Sequence, residues 1–112
     1  MKKRIEKLIK PYEGLLLECD GMTRVIHYLL EKDNIPHRVM CGSVCWKEQG
    51  ISLHYWIETD SLIVDYRSCM WMGPDAPQGV MEATTCASKY NGEEIEMNVS
   101  EMIFSILIRN RE

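Results

Sequence analysis

Three residues of this chain are of the types that acyl transfer uses, in an order that suits it: Cys19, His54 and Asp65. A thiol attacks an acyl carbon only as the thiolate, and an unassisted thiol is mostly protonated at neutral pH. The positive end of a helix favours the thiolate, and a neighbouring imidazole can pair with it and later protonate the leaving group. Cys19 stands at a predicted helix start, His54 within a predicted strand and Asp65 near the end of the next. In that arrangement Cys19 is the nucleophile, His54 the general acid and base, and Asp65 the acceptor that fixes the ring's tautomer. The backbone N–H of Cys19 supplies one oxyanion donor, with Tyr12 and Trp46 as candidates for a second. Trp56, two residues after His54 and on the same face of its strand, would wall the substrate site.

These residues need elements to hold them. From Asp20 to about Lys32, Met22, Val25, Ile26, Leu29 and Leu30 repeat as one buried face of an amphipathic helix. Asp33-Asn34 stops that helix, and Ile35-Pro36 makes the following chain extended. Arg38 to Trp46 reads as a strand with Gly42 as a bulge, Lys47 to Gly50 as a polar turn, and Ile51 to Thr59 as the next strand. Asp60-Ser61 then reverses the chain into Leu62 to Tyr66, completing an antiparallel meander of three strands. With Asp60 and Ser61 as the two loop residues, Thr59 pairs with Leu62 and Trp56 lies opposite Asp65. His54 and Asp65 then share a face as diagonal neighbours, roughly 7 to 8 Å apart at the backbone. A three-residue loop would put them on opposite faces, so the triad requires an even loop.

Around this segment, Ile5, Leu8 and Ile9 predict a short helix over residues 2 to 10, ended by Pro11 and packed as a lid. Tyr12 to Gly14 reads as a loop, and Leu15-Leu-Leu17 as buried chain leading into Cys19. Residues 67 to 82, with Gly73, Pro74, Pro77 and Gly79, read as an irregular connection anchored by Met70, Trp71 and Met72. Tyr90-Asn-Gly-Glu93 predicts a hairpin between a strand near 84–90 and one near 94–97. Asn98 with Glu101 reads as a capping box, and Val99, Met102, Ile103, Ile106 and Leu107 as the stripe of a docked C-terminal helix. The whole is an α+β chain forming one domain over residues 1–112.

Composition narrows the function. With 17 acidic and 13 basic residues the formal charge is -4, which argues against a nucleic-acid surface. The basic clusters, Met1 to Arg4 and Arg109 to Arg111, read as solvated helix ends. Five cysteines are an odd number and predict reduced thiols in a cytoplasmic protein. Leu15 to Cys19 superficially suggests a lipoprotein signal, but Glu6, Lys7, Lys10 and Glu13 interrupt any apolar region and Glu18 is too large for a processing site. No apolar run approaches a membrane span, so no membrane partner is expected. Cys41 and Cys45, with Cys69 or a histidine, are a weak zinc pattern without paired knuckles, and neither metal nor cofactor is expected. His27 and His37 read as structural.

The blocks Cys19-Asp-Gly-Met-Thr, Asn34-Ile-Pro-His-Arg-Val-Met-Cys-Gly42, His54-Tyr-Trp-Ile-Glu58 and Ile63-Val-Asp65-Tyr together resemble the transglutaminase-like superfamily and cover about half of the chain. That family has a papain-like core in which a cysteine opens a helix, one strand carries His-Ala-Trp-x-Glu or similar and another ends in aspartate. The resemblance implies the nucleophile helix packed on a small antiparallel sheet. It also implies a protein or peptide amide as substrate: hydrolysis, deamidation or transamidation through a thioester. Tyr55 departs from the pattern, standing where family members often have a small residue. Glu18-Cys-Asp-Gly also resembles the start of NlpC-like cell-wall peptidases, although their His-Val-Gly-Ile strand has no counterpart. The competing expectation is a noncatalytic binding module on the same fold, with Met70 to Met72 and Pro74 to Gly79 as its contact surface. The small size suits a phage or mobile-element protein.

Overall fold

In the computed structural model, residues 1–109 are described, so the basic cluster Arg109 to Arg111 lies mostly outside them. Helix α1 (Lys2–Ile9) gives way at Pro11 to a 3-10 turn over Lys10–Tyr12, and α2 (Cys19–Lys32) follows. Strands β1 (Arg38–Trp46), β2 (Gln49–Glu58) and β3 (Leu62–Asp65) lead through the one-turn helix α3 (Cys69–Met72) to β4 (Gly79–Glu82), β5 (Lys89–Ile95) and α4 (Glu101–Leu107). The five strands form one antiparallel sheet in the order β4-β3-β2-β1-β5. The architecture is α+β, and among the described residues no helix is long and apolar enough to cross a membrane.

The meander has the predicted register. Ile57 pairs with Val64 and Glu58 with Ile63, and Thr59 N–H donates to Leu62 O at 2.9 Å across the two-residue loop. The Thr59 hydroxyl also accepts from Leu62 N–H at 3.1 Å, tightening this turn. β1 and β2 meet across Lys47 and Glu48, and their register shifts where Gly42 and Val44 of β1 face His54 and Ile51 of β2, so the extra residue lies on β2 and not at Gly42, where the bulge was expected. The main core is formed where Ile5 and Ile9 of α1 and Met22, Ile26 and Leu30 of α2 cover Ile57 of the sheet. Residues from the helix stripe thus bury as periodicity predicts, with Leu29 packed at the edge of the cluster. A smaller cluster joins Val44, Met72 and Ala76, fastening α3 and the loop after it to the sheet.

Five further expectations are corrected. Asn91-Gly92 makes no hairpin: β5 runs straight through it and pairs with β1, Gly42 facing Gly92. A Cβ on Gly92 would lie 2.5 Å from Cys41 O and 2.7 Å from the Trp56 ring, so this glycine permits a close backbone approach rather than a turn. Residues 79–82, assigned to an irregular connection, form edge strand β4 against β3; Gly79, at φ 103°, makes the corner into it. The cap of α4 is Ser100, whose hydroxyl accepts from Ile103 N–H at 3.1 Å, and not Asn98. The helix docks through Phe104, stacked on Tyr28 at 4.2 Å and edge-on to Tyr12 at 5.7 Å, while Met102, Ile103 and Ile106 remain exposed. In the chain leading to Cys19, Leu15 is buried but Leu16 is exposed.

Candidate active site

β3 ends at Asp65, opposite Trp56, and the chain turns away, whereas β2 continues past it to His54. His54 therefore lies on the same face of the sheet as Asp65, just beyond the neighbouring strand's end. His54 Nε2 donates to Asp65 Oδ2 at 2.8 Å, with His54 0 % and Asp65 3 % exposed. Two further donors hold the carboxylate: the Tyr90 hydroxyl reaches the same Oδ2 at 2.7 Å, and Arg67 N–H reaches Oδ1 at 3.0 Å. A buried carboxylate needs such partners, since an unpaired charge there is costly.

Cys19 is the first residue of α2, with Glu18 at the cap. That places it where the helix field favours an anion. With Nε2 committed to Asp65, His54 Nδ1 is buried without a hydrogen-bond partner of good geometry. The other group acting on the ring is the Cys19 thiol. Burial pushes the His54 pKa down, but hydrogen bonding and charge interaction with Asp65 and Cys19 outweigh it, and the value rises to about 9. The Tyr90 phenol is pushed far up, first by burial and then by Asp65, so it stays a protonated donor at neutral pH.

Each remaining side chain has its own place. Trp56 is 1 % exposed, parallel to the His54 ring at 6.2 Å between centroids, with Nε1 donating to Glu58 Oε2 at 2.8 Å. It walls the imidazole from within the protein and offers no open surface to a bound chain. Tyr12 packs against Phe104, and Trp46 packs with the cluster around Val44 and Met72, its ring under Lys47 Nζ at 4.6 Å. The segment before Cys19 is fastened by Arg67, whose guanidinium donates to the carbonyls of Leu17 (2.6 Å), Leu15 (2.8 Å) and Glu13 (3.2 Å). Arg67 and Tyr90 are the residues that sequence reasoning missed. Tyr90 was hidden by the hairpin signal of Asn91-Gly92, and Arg67 by the irregular composition that follows it.

His27 and His37 form a separate cluster. His27 Nδ1 lies 2.7 Å from His37 Nε2, His37 Nδ1 lies 2.7 Å from Ile35 O, and His27 Nε2 lies 2.7 Å from Met97 O. The five cysteines are unbridged, and among the described residues no three His, Cys, Asp or Glu side chains converge as a metal site. Cys41 and Cys45 pair with Glu93 and Lys89 in an unbroken β1–β5 register and so share a face of β1, but no metal-binding cluster of three such ligands includes them among the described residues. No protein-family model, curated protein or solved structure matches the chain.

Proposed function

We propose that this protein is a cysteine-dependent acyl-transfer enzyme of transglutaminase-like, papain-like type, acting on a protein or peptide amide through a Cys19-His54-Asp65 triad. The observation that carries this reading is the buried 2.8 Å His54–Asp65 pair, whose free ring nitrogen is left for the thiol at the first turn of α2. A ring with its pKa raised to about 9 is an imidazolium at neutral pH, the form that pairs with a thiolate. The thiolate sulfur bonds to the amide carbon and the carbonyl electron pair moves onto oxygen. The backbone N–H of Cys19, at the start of α2, is the donor to that oxyanion. As the C–N bond breaks, His54 gives its proton to the leaving amine, and a thioester remains. Water then yields hydrolysis or deamidation, and a second amine yields amide transfer, with neutral His54 taking the proton of either nucleophile.

A noncatalytic binding module is the second reading, favoured by Met70 at 50 % and Trp71 at 54 % exposure on α3. One experiment separates the two: iodoacetamide titration from about pH 5 to 9, with the modified cysteine located by mass spectrometry, in the native chain and in His54→Ala. Acyl transfer requires Cys19 to react first of the five thiols near pH 6 and to lose that lead without His54. A silent Cys19 beside reactive Cys41, Cys45, Cys69 or Cys86 would sink the enzymatic reading.

A further inference from the structure

The chain that runs into Cys19 forms one wall of a cleft of about 680 Å³. Residues Glu13 to Glu18 make that wall, and Cys69, Met70, Pro74 and Gln78 face them. Both walls are preformed. The three carbonyl bonds from Arg67 hold the first; on the second, Ser68 Oγ donates to Pro77 O at 2.5 Å and Cys69 N–H to Gln78 Oε1 at 3.0 Å. A preformed, mainly apolar cleft, here reaching Glu18, the residue before Cys19, is where a ligand binds with least ordering cost.

Its chemistry narrows the ligand. Leu16 at 59 % and Met70 at 50 % exposure are large apolar side chains left in water on opposite walls. Glu13 and Glu18 add carboxylates along the first wall, and Asp75 lies close enough to the second to help raise the Cys69 pKa, after burial and Asp65. Lys10 approaches Glu13 at 3.3 Å, but the two side chains are 77 % and 41 % exposed, and such pairs are weak. The cation in the lining, Arg67, is buried and turned to backbone carbonyls. The cleft is thus apolar within and negative at its lip.

We infer that this cleft holds the substrate of Cys19 as an extended peptide with an apolar side chain seated between Leu16 and Met70 and a basic side chain beside it, facing Glu13 and Glu18. The inference rests on Cys19 being the nucleophile. Its test uses acetylated dipeptide vinyl sulfones on the full chain: Lys-Leu, Glu-Leu and Lys-Asn. The thiolate adds to the terminal vinyl carbon, forming a C–S bond as the π bond breaks, and the carbon next to the sulfone takes a proton from His54. Labelling rates at Cys19 are read by mass spectrometry.

The Lys-Leu probe is expected to react roughly fivefold or more faster than Glu-Leu, as two nearby carboxylates allow. The Lys-Asn probe is expected to be slower than Lys-Leu. Within each protein the Lys-to-Glu ratio should fall towards one in Glu13→Gln/Glu18→Gln, and also in about 1 M salt. Equal rates for all probes, in a protein whose Cys19 reacts first with iodoacetamide, overturn the cleft assignment and leave the triad standing. A charge preference unchanged in the double variant overturns it as well. Failure of Cys19 to react with iodoacetamide and with every probe overturns the triad and the cleft together.

Discussion

Two histidine sites in one small domain have opposite electrostatics. At His54 the partner is a carboxylate, and the ring's pKa rises to about 9 although burial opposes it. At His37 burial dominates, the nearby His27 adds to it, and the pKa is lowered despite the Ile35 carbonyl and Glu31. The outer nitrogens of the pair face backbone carbonyls, His37 Nδ1 that of Ile35 and His27 Nε2 that of Met97, and Glu31 Oε1 lies 3.1 Å from the same His27 nitrogen. The comparison shows that burial alone does not prepare an imidazole for chemistry. One ring is braced by an anion and acts with the Cys19 thiol; the other is used up joining α2 to the chain before β1 and the chain after β5.

The comparison breaks most sharply at Asp65. Asp65→Asn removes the anion that charges His54, and breaking a buried pair from one side should cost about 3–5 kcal/mol in urea unfolding, with loss of Cys19's alkylation lead. The matched change at the other site, His37→Gln, should cost about 1 kcal/mol and leave Cys19 alkylation unaltered. If His37→Gln slows Cys19 as much as Asp65→Asn does, the two sites are not functionally distinct.

Next in size is pH dependence, where the two sites have opposite signs. His54 has a folded pKa of about 9 against 6.5 for the free ring, so its stabilisation is full below 6.5 and is lost as pH rises through 9. That amounts to about 1–3 kcal/mol, read as a native-minus-His54→Gln difference that shrinks between pH 6.5 and 10. His37 has its pKa lowered, so its contribution is present above 6.5 and is lost as pH falls through the folded value. The corresponding His37→Gln difference should shrink on the acid side.

Smaller effects sharpen the first site. Gly92→Ala presses a methyl on Cys41 O and the Trp56 ring, and should lower stability by about 1–3 kcal/mol while blunting Cys19 alkylation through the displaced Trp56–His54 stack. Tyr90→Phe removes one of three donors to Asp65 and should cost about 1–2 kcal/mol, shifting the pH profile of Cys19 alkylation. An unchanged profile would make Tyr90 structural only.

Local sequence carried a large part of this account because it encodes local physics. The period of Met22, Val25, Ile26 and Leu30 dictates which face of α2 is buried, and Pro11 dictates where α1 must stop. The two-residue loop at Asp60-Ser61 dictates the parity that sets His54 and Asp65 on one face, because side chains alternate along a strand. What the sequence could not decide is which partner a strand finds across the fold. Asn91-Gly92 has the chemistry of a turn, yet the place beside β1, with Trp56 over Gly92, draws it into a continuous strand. That pairing sends Tyr90 to Asp65. The chain reversal after β3 sends Arg67 to the segment before Cys19, and Phe104 rather than the Met102, Ile103 and Ile106 stripe docks α4. Periodicity and turn chemistry act over a few residues and are legible in order; these contacts join residues far apart in the chain, and they exist only once the sheet has chosen its strand order.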